Sequence, residues 1–207
     1  MKPKLRGVSH QYAFFVAVIA GALLVVLAPG GEARLAAAIY AFTLAGLFGA
    51  SALYHTVEWQ PRARMWMRRL DHSMIFLLIA GTYTPFALLV MQGTLATVIL
   101  IVVWAGAIGG VIVSMLWVRS PKWVAAVIAI SLGWVAVAAM PQIADYAGFA
   151  ALALLLVGGL LYTFGGITYA RHKPDPWPKT FGYHEVFHAL VIGAAALHYA
   201  AVAAFAL

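Results

Sequence analysis

The sequence predicts an all-α integral membrane protein: one bundle of seven transmembrane helices, with its N-terminus cytoplasmic and its C-terminus outside. Three observations carry this. Of 207 residues, 65% are apolar and 9% charged, with a mean hydropathy of +0.95. A soluble domain carries roughly a quarter of its residues charged, so most of this chain's outer surface must face lipid. Seven apolar stretches are each long enough to cross a bilayer, for which a helix needs about 20 residues. Finally, the basic residues fall almost wholly on one side of those stretches.

The apolar spans lie near 11–28, 35–56, 71–91, 94–117, 122–140, 147–169 and 182–206. Short punctuated breaks separate them: Pro29-Gly30-Gly31, Pro61 with its arginines, Gln92-Gly93, Ser120-Pro121, Pro141 to Asp145, and Lys173 to Pro178. These breaks leave no room for a soluble module, so residues 1–207 form a single domain. The first span follows Lys2, Lys4 and Arg6 and looks like a signal peptide, but six more spans follow and it is expected to stay as a helix. Gly106, Gly110 and Ser114 make a small-residue stripe that lets the fourth helix pack closely on a neighbour. No internal repeat is evident.

Of 13 lysines and arginines, all but Arg34 fall on one side. They are Lys2, Lys4 and Arg6; Arg62, Arg64, Arg68 and Arg69; Arg119 and Lys122; and Arg171, Lys173 and Lys179. The positive-inside rule makes that side cytoplasmic. The net charge of +7 is thus a topology signal, and nucleic acid is excluded as a partner. Trp59, Trp66, Trp117, Trp123 and Trp177 gather on the same side as an interfacial belt. The absence of cysteine excludes disulfides, thiolate metal sites and cysteine nucleophiles.

Ionisable residues inside membrane helices are costly and usually mark function. His55 closes helix two, Asp71 opens helix three, and His184 and His188 open helix seven. Three helices therefore bring these side chains to one layer near the cytoplasmic face, where His10 also lies. His184 and His188 are four apart and share a helix face, the spacing that grips one metal ion. With His55 they match the three protein ligands of a catalytic zinc. Asp71 would then orient the water or a ligand, and Ser51 lies one turn deeper than His55. Taken singly, Asp71 also suits the N-cap of helix three and Ser51 a packing position. His10, His72 and His172 suit the interface, and His198 a packed polar contact.

This pattern, Ser51-x-x-x-His55, Asp71 and His184-x-x-x-His188 on the second, third and seventh helices, resembles the hemolysin III family. That family is the bacterial branch of the progestin and adipoQ receptor group, whose superfamily includes the alkaline ceramidases. The opening Leu5-Arg6-Gly7-Val8-Ser9-His10 fits as well, and the resemblance covers essentially the whole chain. It implies a bacterial plasma-membrane protein with zinc held by His55, His184 and His188. It also implies Asp71 against the zinc's water, with Ser51 beside it. In the adiponectin receptors such a site is linked to hydrolysis of the ceramide amide bond. The chain opens without the receptors' long soluble segment, so hormone reception is not expected. His72, where the receptors commonly carry an aromatic residue, adds a possible ligand.

The expected activity is metal-dependent hydrolysis of a lipid amide or ester entering sideways from the cytoplasmic leaflet. Asp71 would handle the water proton, and Ser51 would bond the water or the developing oxyanion. The alternative is a non-enzymatic membrane sensor, regulator or haemolysin with a structural zinc, although no cytolytic device is visible. His184-Glu185-x-x-His188 also reads as the H-E-x-x-H of a metalloprotease, but no acidic residue follows His188 to complete its ligands. A retinal protein would need a lysine in helix seven, which has none. A bis-histidine haem would want ligands facing each other across the bundle, and histidine-rich di-iron oxidases use more histidines than this chain has.

Overall fold

The computed structural model describes residues 3–207; Lys2 of the basic set lies outside the described residues. Among the described residues, seven helical spans are long and apolar enough to cross a membrane, and with the expected architecture the chain is a multi-pass integral membrane protein. The helices are α1 (Val8–Leu27), α2 (Gly31–Thr56), α3 (Pro61–Leu89), α4 (Gly93–Leu116), α5 (Lys122–Gly133), α6 (Met140–Tyr146), α7 (Gly148–Arg171) and α8 (Tyr183–Phe205). The fifth span is composite: α5, a 3₁₀ segment at Trp134–Ala139, and α6.

Two boundaries differ from expectation for physical reasons. Helix three begins at Pro61, ten residues before the apolar run. Proline is favoured at the first helical position because its missing N–H is not needed there, and arginine is a good helix former. Helix propensity thus carries α3 outward past the apolar layer by about 15 Å, at 1.5 Å per residue. Asp71 therefore lies inside α3 and is not its N-cap, which is Gln60. The stretch Pro141 to Asp145, expected as the break after the fifth span, is helical: Pro141 sits in the first turn of α6, and the irregularity lies earlier, in the 3₁₀ segment Trp134–Ala139. The carbonyls freed at the end of α5 are met by the Tyr83 hydroxyl, which donates to Leu132 O (3.2 Å) and Gly133 O (2.6 Å).

α1 packs on α2, α2 on α3 and α3 on α4, while α5 packs on α7 and α7 on α8. α8 returns to α1 and closes the ring. α2 and α3 are the most enclosed spans. Lipid offers no hydrophobic drive between helices, so close approach at small residues does the packing. The predicted stripe on α4 behaves this way. A Cβ on Gly106 would meet Leu132, and one on Gly110 would run into the Phe76 ring. Ser114 is buried below them. Outward-facing positions stay apolar: Leu27, Leu116 and Phe149 are each more than three-quarters exposed.

The end bearing most of the basic residues is tied across the chain. The N–H groups of Lys4 and Leu5 donate to the carbonyls of Lys179 (3.1 Å) and Thr180 (3.2 Å). Arg69 Nε donates to Met115 O at 2.9 Å, and Lys122 Nζ to the Tyr183 hydroxyl at 2.5 Å.

Candidate metal centre

The start of α8 is held by two carboxylates. Glu185 accepts the Gly182 N–H at 2.8 Å, the reciprocal half of a capping box. Asp175 accepts the Tyr183 N–H at 2.7 Å. With this first turn fixed, His184 and His188 project from one face toward His55 in the last turn of α2. One nitrogen from each of the three histidines lies within 4.8 Å of the others, so the group could hold a metal ion. All three side chains are buried. His55 Nε2 and His184 Nε2 stand 3.1 Å apart. His188 Nδ1 is buried without a hydrogen-bond partner among the described residues.

Of the remaining candidates, Ser51 is buried and Asp71 half-buried, and both line the same cavity as the histidines. The Ser51 hydroxyl lies 2.8 Å from His10 Nδ1. His72 turns to the Tyr169 hydroxyl at 3.4 Å and does not join the cluster. His172 is exposed at the end of α7, as an interfacial residue should be. His198, in the membrane interior, points Nε2 at Leu155 O (3.2 Å), a packed polar contact as expected. Glu185 is 1% exposed, and its two oxygens are taken by Arg6 and by the Gly182 N–H. A carboxylate so committed is not placed to act as a protease's general base.

The interfacial expectation for His10 is overturned. Only 2% exposed, it stacks on the His188 ring with centroids 3.7 Å apart and planes 6° from parallel. Two neighbours in sequence share this role. Arg6 pairs with Glu185. Gly7 has φ 84°, and a Cβ there would come within 2.5 Å of the His55 Cβ. The residues from Arg6 to His10 thus brace all three histidines. Sequence reasoning places His10 at the right depth, but depth alone does not say which way a side chain turns. The signal that could have found Arg6 and Gly7 is the opening Leu5-Arg6-Gly7-Val8-Ser9-His10 itself.

Below the cluster opens a cavity of about 450 Å³, within the 300–1,000 Å³ typical of small-molecule sites. One face of α3 lines it from end to end: Arg64, Arg68 and Asp71 at the basic end, then Ile75, Ile79 and Phe86. The spacing is helical, and the lining passes from charged to apolar as it enters the membrane.

Comparison with known proteins agrees with this architecture. The family model described as haemolysin-III related matches residues 1–199. The chain is 33% identical to a protein of Bacillus cereus named hemolysin-3, over 85% of this chain and 80% of that one. It is 27% identical to the human monocyte to macrophage differentiation factor, over 94% of this chain and 80% of the other. A 63-residue stretch is 40% identical to a Drosophila melanogaster adiponectin receptor protein, covering 28% of this chain and 14% of that one.

Proposed function

The chain belongs to the haemolysin-III related family, and from that premise we propose that it is a zinc-dependent hydrolase of a membrane-lipid amide or ester. The observation that carries the reading is the buried cluster of His55, His184 and His188 at the charged end of a cavity that turns apolar toward the bundle interior. The donor set fits zinc: three imidazoles, the protein ligand set of the carbonic anhydrase type. Two nitrogens on one tetrahedral zinc stand roughly 3.3 Å apart, given Zn–N bonds of about 2.0–2.1 Å. The His55 and His184 nitrogens, at 3.1 Å, already stand near that distance. The buried, unpartnered Nδ1 of His188 is a polar atom that wants a partner.

When bound, zinc supplies Lewis acidity and water activation at the head of the cavity. Asp71, lining the cavity beside the cluster, takes the proton of the attacking water and returns it to the leaving group. Ser51 lines the cavity with Asp71, its hydroxyl beside His10 Nδ1, and is placed to orient the Asp71 carboxyl. The apolar lining contributed by Ile75, Ile79 and Phe86 receives the acyl chain. The test is elemental analysis of purified protein together with hydrolysis of lipid amides and esters in detergent. One zinc per chain and turnover, both lost in His184→Ala/His188→Ala, is the expected result. No metal in the parent protein, or metal retained in the double variant, would overturn the assignment.

A second reading, in which the ion only staples the bundle, is favoured by one observation. The three histidines come from α2 and α8, between which α1 packs on both, so an ion there would clamp the bundle across α1. Its mark would be metal-dependent stability with no turnover on any lipid tested.

A further inference from the structure

The rim of the cavity carries more positive charge than its own carboxylates balance. Arg6, Arg64, Arg68 and Lys122 all line it. Arg6 is consumed by Glu185, the only ion pair within 4.0 Å among the described residues. Asp71 is the one carboxylate among the lining residues. It faces Arg68 electrostatically without a direct pair. The other two cations are held by aromatic rings. Arg64 lies over Tyr54 at 5.8 Å, and Lys122 over Tyr169 at 5.1 Å and Tyr183 at 4.8 Å. A ring positions a cation without neutralising it, so donors and charge stay available to a ligand. Arg64 and Arg68 are four apart and face the same way on the protruding part of α3, in line with Asp71 and the apolar positions below.

We infer that Arg64, Arg68 and Lys122 form a subsite for the anionic headgroup of an acyl lipid whose chain occupies the apolar part of the cavity. The ligand class is a lipid with a phosphate or comparable anion within a few bonds of its acyl linkage. Charge at the rim and hydrocarbon lining within match that one molecule end for end. The histidine cluster lines the same cavity at its charged end, so a lipid seated this way would bring its acyl linkage toward the histidines. The inference rests on the hydrolase reading for the chemical step after binding. In that step water adds across the acyl bond, the carboxylic acid leaves with the chain, and the alcohol or amine leaves with the headgroup. The binding step itself needs no metal.

Native mass spectrometry of the full chain in neutral detergent tests it. The protein is offered equal amounts of phosphatidylglycerol and phosphatidylcholine with identical acyl chains. The parent should retain phosphatidylglycerol preferentially. A cation near anionic lipid contributes about 1 kcal/mol, or about fivefold. Lys122→Gln should therefore cut the preference about fivefold and Arg64→Gln/Arg68→Gln about 25-fold. Arg171→Gln, at the same end but outside the cavity, should leave it unchanged. Melting temperature and metal content establish that each variant is folded, and two independent substitutions guard against a single collapse. No preference in the parent, or one unmoved by both sets of substitutions, overturns the subsite even if hydrolysis is observed. Inorganic phosphate that binds the parent as tightly as the lipid overturns the lipid as the anion's source. Retention of the preference in His184→Ala/His188→Ala supports the subsite independently of metal. A parent that shows the preference and hydrolyses nothing disproves the hydrolase reading and leaves the subsite standing.

Discussion

Each functional side chain is fixed by a neighbour whose own freedom is restricted, and substitutions should separate the roles. Asp71→Asn keeps the shape and removes the proton acceptor that the proposed hydrolysis assigns to Asp71. We expect it to retain metal and to lose turnover by about 10²–10⁴-fold, the usual contribution of a general acid–base group. Metal content and lipid hydrolysis on one preparation check this. Glu185→Gln should do the reverse: it breaks a buried ion pair, so melting temperature falls while surviving protein stays active. A buried pair broken on one side costs about 3–5 kcal/mol. Turnover lost at full stability in Glu185→Gln would restore the protease reading. Gly7→Ala probes the third role, since alanine is strained at φ 84° and its Cβ would press on His55. It should weaken zinc retention in a chelator titration although Gly7 contributes no ligand. The histidine cluster was legible from i,i+4 spacing and common depth. The turn of His10 into the centre was not, because beyond its first turn α1 is apolar on every face and amphipathic patterning gives no direction inside a membrane.

At the scale of elements, the apolar runs located all seven spans, because the bilayer fixes their length. They missed the outward reach of α3, where arginines lower hydropathy but continue the helix. They also missed the 3₁₀ break at Trp134–Ala139, because hydropathy is the same for either helix type. A proline reads as a break at Pro141 to Asp145, but in the first turn of α6 it interrupts nothing. The small-residue stripe on α4 was read correctly because its effect is local. Gly110→Val places branched carbons against Phe76, itself 1% exposed. Overpacking of this kind costs about 1–3 kcal/mol. Thermal unfolding should show a lowered melting temperature with zinc content unchanged, since the contact lies away from the histidines.

For the whole molecule, twelve of the 13 basic residues point to a cytoplasmic N-terminus, and seven spans then put the C-terminus outside. An alkaline phosphatase fusion at Leu207 should be active, and a cytoplasm-dependent reporter at the same position silent. The opposite result would place the histidine cluster and its basic rim at the outer leaflet. Metal removal should also act globally, because binding confined to the folded state stabilises by RT ln(1 + [L]/Kd). Chelation should lower the melting temperature of the parent and leave His184→Ala/His188→Ala unmoved.

The pairing of Arg6 with Glu185, and of His10 with His188, joins the first helix to emerge during synthesis with the last. Domains assemble from the N-terminus as the chain is made, yet the histidine cluster and these two contacts close only when α8 arrives. Until then Arg6 waits without Glu185, and His10, already beside Ser51 of α2, without the His188 ring. A nascent chain stalled after α7 would therefore carry a visible mark of incompleteness, and cellular proteases should clear it. Deleting α8 should shorten the protein's lifetime in the cell far more than its share of the packing would suggest, and pulse-chase labelling would measure it.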